Sequence, residues 1–326
     1  MKFDFVSIGG YVEDITLYTD KSVLIDNKKD ILRQKLLGFE YGAKVVIEKH
    51  ESFFGGGAAN VAVALSRLGF SVSALVNIGN DERGKKAVEN FLSQKVNVDL
   101  IKKIDKAPTG FSIIVIGKNK EHVAFTIRGA NSFLDINLLE KKTLAASSWV
   151  YLSSLSGAWE KVLKKIFLIR GPKIAWNPGG TQLAAGVGKL RKFFKKTTIL
   201  LVNKDEAIEL VISDRKYKNK TNKFLNNKRN LLVALKSFGP EVVVITDEKR
   251  GADAYDGTFF YYQNSVANQT KIADTTGVGD AFCAAFTAGY EKYNKDVKKA
   301  MKLAMKNAAS VLKVAGAQNG LIKKKL

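Results

Sequence analysis

The chain has 326 residues, 46% hydrophobic and 10% aromatic, enough for one large α/β domain with an ample core. No apolar run approaches the ~20 residues of a membrane span, the only cysteine and histidines (Cys283, His50, His122) leave no internal disulfide and no zinc cage, and the first residues lack the apolar stretch and cleavage site of a signal peptide, so a cytoplasmic protein is expected. The formal charge of +22 invites a nucleic-acid reading, but 44 Lys scattered along the chain against 9 Arg describe a solvated lysine-rich surface rather than a site built from bidentate arginines, and nucleic acid is not an expected partner.

In chain order, 3–10 reads as a buried first strand closed by glycine. A helix follows Gly55-Gly56-Gly57, from about Ala58 to Leu68, with Val61, Leu65 and Leu68 at helical spacing and Gly69 as the stop. Residues 71–76 form the next strand, and Asp81 opens a helix through Leu92. The alternation recurs downstream, with strands at 149–152, 174–176, 199–202 and 242–245 and a helix over 159–168. Strands interleaved with helices over this length predict a mostly parallel sheet covered on both faces. Two stretches break the pattern, about 15–53 and 109–126. Both read as extended β material inserted between α/β units, either a small β-sheet lid or a pair of surface hairpins. The polar run 213–230 reads as a loop and a helix start, and no internal repeat is present.

The strongest chemical signal is Asp274-Thr275-Thr276-Gly277-Val278-Gly279-Asp280, followed by a helical pattern from Ala281 to Tyr290. Glycines before a helix let backbone N–H groups converge, and the helix N-terminus adds partial positive charge, which together make an anion site. A carboxylate at the end of that loop can accept the proton of an attacking hydroxyl beside a transferring phosphoryl group. Asp280 can equally cap the helix. No G-x-x-x-x-G-K-[ST] occurs, since Gly186-Val187-Gly188-Lys189-Leu190 fails in spacing and hydroxyl, and no G-x-G-x-x-G is present, so P-loop and dinucleotide-binding readings are set aside.

Gly55-Gly56-Gly57-Ala58-Ala59-Asn60 and the 274–280 loop resemble the two signatures of the ribokinase-like (PfkB-type) carbohydrate kinases. Weaker marks stand in the right order between them: Asp81-Glu82-Arg83-Gly84, Gly129-Ala130-Asn131 and Asn203-Lys204-Asp205-Glu206. The resemblance covers nearly the whole chain. It implies a single ribokinase-like domain over 1–326, a three-layer α/β/α sandwich with a mostly parallel central sheet and a lid from the two inserted segments. It further implies a cytoplasmic ATP-dependent transferase acting on a sugar or nucleoside.

Carried over by position, the resemblance makes Asp280 the catalytic base and the amides around Gly277, Val278 and Gly279 the hole for the transferring phosphate. Asp14, Gly56 and Asn60 would bind the acceptor. Asn203, Thr246, Gly251 and Asn307 would face the nucleotide. Asn203 and Glu206 would organise Mg2+ and its waters, while Asp274 and Thr276 would hold a monovalent cation such as K+. Plain readings stand beside these: a capping box for Asn203 and Glu206, a helix cap for Asn60, a turn for Asp14, an ordinary helix-surface residue for Asn307, and a self-contained loop for Asp274.

The sequence also departs from ribokinases proper, with Val12 where they carry Asn, Gly57 where they carry Lys, and no sugar-binding Glu near Leu155-Ser156. These changes point away from ribose toward another sugar or a nucleoside. The rival classes are a catalytically silent sugar- or nucleotide-binding member, against which Asp280, Asn203 and Glu206 argue, and a basic nucleic-acid-binding protein, whose affinity would fall steeply with salt. An exposed lid sheet would present edge strands through which two chains can pair as a homodimer.

Overall fold

The computed structural model describes residues 2–27, 35–117, 122–247, 250–265 and 272–326. Its centre is a nine-stranded sheet. From one edge inward the strands are β15 (Phe260–Gln263), β14 (Ala252–Tyr255), β13 (Val242–Thr246), β12 (Ile199–Asn203), β11 (Lys173–Trp176), β10 (Trp149–Leu152), β1 (Phe5–Gly9), β6 (Val72–Gly79) and β7 (Lys102–Ile104). β13 through β7 run parallel, and β14 and β15 close one edge antiparallel.

Side chains alternate across each strand, so a sheet buried on both faces has two cores. Phe5, Val76, Tyr151 and Val244 pack on one face, beneath α1 (Gly57–Arg67), α2 (Glu82–Ser93), α10 (Val278–Lys292) and α11 (Val297–Val311). Val6, Leu75, Leu152 and Ile245 pack on the other, beneath α3 (Leu138–Ala146), α4 (Trp159–Ile166), α5 (Gly180–Ala184), α6 (Gly186–Phe194), α7 (Lys204–Ile212) and α9 (Lys228–Lys236). This is the three-layer α/β/α arrangement expected from the alternation. The 213–230 run carries a one-turn helix, α8 (Asn222–Leu225), before α9.

The inserted segments form a separate four-stranded sheet in the order β5 (Lys49–Gly55), β2 (Val12–Tyr18), β8 (Phe111–Ile116), β9 (His122–Ile127). β2 pairs in parallel with β8, about a hundred residues on, so the two segments build one sheet rather than two independent hairpins. The sheet starts at Val12, earlier than the expected 15, because β2 leaves the end of β1 after only Gly10 and Tyr11. A small hairpin, β3 (Val23–Asp26) with β4 (Lys35–Gly38), lies within the first segment. Parts of the expected lid, 28–34 and 118–121, lie outside the described residues.

Two of the weaker sequence marks hold this second sheet to the first. Asp81 caps α2 by accepting from Gly84 N (2.8 Å) and also accepts from Thr109 N (2.8 Å) and Thr109 Oγ1 (2.6 Å), at the root of the second inserted segment. Asn131 accepts from Tyr11 N (3.1 Å) and donates to Tyr11 O (2.8 Å), fixing the backbone that leads into β2.

Candidate active site

Asp280 is the third residue of α10, whose N-cap is Gly277. It makes no capping bond. Its Oδ2 instead accepts from Asn60 Nδ2 of α1 (2.8 Å), while its Oδ1 lies 3.5 Å from where a Cβ on Gly57 would stand. That Cβ would also approach Ser153 Cβ to 3.0 Å. Gly57, Ser153 and the second oxygen of Asp280 therefore lie close together, with little room for a side chain at position 57. Burial raises the Asp280 carboxyl above its ordinary value, and the bond from Asn60 works against that rise.

The loop before α10 fits an anion. Gly277 has φ +74, and a Cβ there would fall 2.3 Å from Ala317 Cβ and 2.8 Å from its Cα, so both conformation and space demand glycine. The turn aims the first-turn amides, which have no acceptor within the helix, out of the N-terminus of α10, where the helix dipole adds positive charge. Asp274 holds the loop from behind: Oδ1 accepts from Thr276 N (2.9 Å) and Oγ1 (2.8 Å), and Oδ2 from Gly316 N (2.9 Å). Gly277→Ala is expected to lower the melting temperature by several degrees, since both φ and the contact with Ala317 oppose a Cβ; a thermal scan checks it.

A cleft of about 590 Å3 opens beside this loop, lined by Asn203, Thr246, Gly251, Val278 and Gly279 and, on its apolar wall, by Met305, Ala308 and Leu312 among others. Asn203 and Glu206 do form the capping box of α7, with Asn203 Oδ1 accepting from Glu206 N (2.9 Å) and Glu206 Oε2 from Asn203 N (2.8 Å). Burial raises the Glu206 carboxyl. Asn307 does not line the cleft. Buried at 1% exposure, it donates to Ala281 O (2.8 Å) and accepts from Ile322 N (3.0 Å), tying α11 to α10 and to the C-terminal segment.

Asp14, near enough to Asp280 to sense its charge, stands within β2 rather than in a turn. It pairs in register with Ser112 and lies so close to Gly55 that a Cβ there would meet Asp14 Oδ2 at 2.1 Å. Its carboxyl is pushed up to about 6, first by burial and then by the charges of Asp280 and Asp274, with a hydrogen bond from Ser112 opposing. Gly56, the N-cap of α1 with φ +95, packs where a Cβ would strike Gly10 O at 2.5 Å. Asn60 lies inside α1, so it is not that helix's cap; its Oδ1 accepts from Gln318 Nε2 (3.1 Å). Beyond the ends of β10 and β11, Arg128 donates to Ser156 Oγ (3.0 Å) and Thr181 Oγ1 (3.4 Å).

Asp14, Gly56, Asn60 and Asp280 therefore converge with the 274–279 loop, and Asn203, Thr246 and Gly251 line the adjoining cleft. Sequence reading gave no role to Gln318, Asn90, Ser112, Ser153 or Arg128. Gln318 was visible only as the end of Gly316-Ala317-Gln318, and nothing in the local pattern marks the others.

The family model for the pfkB family of carbohydrate kinases matches residues 21–324. An uncharacterized sugar kinase of Archaeoglobus fulgidus is 25% identical over 262 residues, covering 79% of this chain and 98% of its own length. Among solved structures, Arabidopsis thaliana ribokinase complexed with ribose and ATP superposes with a TM-score of 0.78 at 18% identity, over 98% of this chain and 96% of that one. The Methanocaldococcus jannaschii nucleoside kinase, an archaeal ribokinase-family member, does so at 0.75 and 19%, over 98% and 94%. Both share the fold. No helix among the described residues is long and apolar enough to cross a membrane.

Proposed function

The chain belongs to the pfkB family of carbohydrate kinases, and from that premise we propose that it transfers the γ-phosphoryl group of ATP to a hydroxyl of a sugar or nucleoside bound between Asp14 and Asp280, under the second sheet acting as a lid of a single domain. The observation that carries the reading is the two-sided placement of Asp280. One carboxylate oxygen is held by Asn60 and the other lies beside Gly57, next in sequence to Val278 and Gly279, which line the 590 Å3 cleft.

In this reading the acceptor hydroxyl gives its proton to Asp280 Oδ1, and its oxygen forms the new bond to the γ-phosphorus. The bond from that phosphorus to the β–γ bridging oxygen breaks, and ADP leaves. Amides at Gly277, Val278 and Gly279 stabilise charge on the transferring group. Thr246 and Gly251 line the donor side, with Met305 and Leu312 as an apolar wall fitting a base. A raised carboxyl pKa suits a base that must also release its proton.

Among the described residues no cluster of three or more His, Cys, Asp or Glu could hold a bare metal ion. The oxygen donors present fit a magnesium that arrives on the triphosphate and keeps its waters, with Asn203 and Glu206 holding those waters. Bound there, it would neutralise phosphate charge. Asp274 already accepts three bonds from its own surroundings, so a monovalent cation beside Asp274 and Thr276 would bind alongside them.

The test is phosphorylation across pentoses, hexoses, sugar acids and nucleosides, with and without potassium. One acceptor turned over with release of ADP supports the reading; ATP bound with no acceptor turned over supports a silent binding protein.

A further inference from the structure

Behind Asp280 runs a line of three buried side-chain amides. Asn90 Nδ2 of α2 donates to Gln318 Oε1 (3.0 Å), Gln318 Nε2 donates to Asn60 Oδ1 (3.1 Å), and Asn60 Nδ2 donates to Asp280 Oδ2 (2.8 Å). Asn90, Gln318 and Asn60 are 8%, 5% and 4% exposed, so little water competes for these groups. Gln318 is also held through its backbone, whose carbonyl accepts from Arg67 Nη1 (2.5 Å), and Arg67 in turn donates from Nε to Gln94 Oε1 (2.8 Å).

The direction of the line is set by its last member. An ionised carboxylate only accepts, so Asn60 must turn its NH2 toward Asp280 and its carbonyl toward Gln318. Gln318 must then donate to Asn60 and accept from Asn90. All three amide dipoles point their positive ends at Asp280, and hydrogen bonds in series polarise one another in a low-dielectric interior. A proton taken up from the acceptor goes to Oδ1, so Oδ2 keeps its bond from Asn60 and the amide line keeps its direction through the reaction.

We infer that Gln318 and Asn90 are positioning residues for the phosphoryl transfer, acting through Asn60 to hold Asp280 ionised and oriented with its other oxygen toward the acceptor. The inference rests on Asp280 being the base. Other titratable groups that sense Asp280 are the Asp14 and Glu206 carboxyls, the Cys283 thiol and the Tyr151 phenol; none is cationic, which leaves the bond from Asn60, at the end of the amide line, and the N-terminus of α10 to oppose burial.

The test compares Gln318→Glu, close in shape but unable to donate from an ionised carboxylate, with Gln318→Leu and Asn90→Ala, each assayed at saturating ATP and acceptor across pH. Both Gln318 variants are expected to lower kcat about three- to tenfold, the scale of one lost neutral hydrogen bond, with KM for ATP within about twofold. The acid limb of the kcat profile should move to higher pH, since a carboxylate that has lost its donor binds protons more readily. Asn90→Ala should show the same changes in smaller degree. A merely structural Gln318 would lower the melting temperature and leave both kcat and the pH limb of the folded enzyme unchanged, and that result overturns the inference. Failure of the kinase reading is separate, because it would appear as no turnover in the unsubstituted protein.

Discussion

Asp280→Asn is expected to lower kcat by roughly 10²–10⁴-fold, the usual contribution of a positioned general base, while leaving ATP affinity within a few-fold. Asn matches Asp in shape and can still accept from Asn60 through its carbonyl, so the packing beside Gly57 should keep its form. What it cannot do is take a proton at the position facing the acceptor. The side chain of Asp280 is not part of the lining of the cleft of Asn203, Thr246, Gly251, Met305 and Leu312, so the proposed donor site should be unaffected. Burial raises the carboxyl of Asp280, so folding carries a cost for its charge at neutral pH; a neutral replacement should leave the melting temperature unchanged or slightly higher. ADP release measured beside nucleotide binding separates the cases. A variant that keeps more than a tenth of the rate would remove Asp280 from the role of base, whereas loss of ATP binding as well would mean the substitution had damaged the donor side.

Much of this architecture is legible along the chain because it is local. The strands over 149–152, 199–202 and 242–245 are continuous apolar runs, as both faces of the sheet are covered. The turn at Gly277 and the helix after it announce themselves through glycine and helical spacing. β7, whose sequence is Lys102-Lys103-Ile104, carries no such pattern; it is a strand because β6 offers a parallel edge. The second sheet is legible as extended segments but not as one sheet, since the β2–β8 pairing joins stretches about a hundred residues apart.

At the site, the residues standing in motifs could be named while their partners could not. Asn60 is separated from Asp280 by 220 residues and from Gln318 by 258, distances over which spacing in sequence carries no information. The motif reading placed Asn60 on the acceptor, whereas in the fold its carbonyl and an N–H already serve Gln318 and Asp280. Asn307 was placed by its motif near the nucleotide, and its amide is taken by the backbone of α10 and of the C-terminal segment instead. In both cases the residue type was legible and the direction of the side chain was not.

Asp14 supplies the second large effect. Its carboxyl, pushed up to about 6, is ionised at pH 7.5 and can accept two hydroxyl bonds from a polyol; at pH 5 it is mostly protonated, and one oxygen becomes a donor. KM for the acceptor should therefore rise as pH falls through about 6, and Asp14→Asn should raise it roughly 10–100-fold at pH 7.5, the range of a hydrogen bond to a charged group, while flattening the pH dependence of KM. The linkage sign keeps this apart from acid unfolding. A folded value above the ordinary 3.8 means the folded state binds this proton more readily than the unfolded chain, so between pH 7 and about 4 protonation of Asp14 favours folding. Asp135, lowered to about 2 with Lys165 as its strongest partner against the opposing effect of burial, works oppositely, but its stabilisation is fully present above the ordinary carboxylate value and fades only below it. Between pH 7 and 5 acceptor affinity should thus fall while the melting temperature holds. A KM that stays flat through pH 6 in the unsubstituted protein would take Asp14 out of the acceptor site.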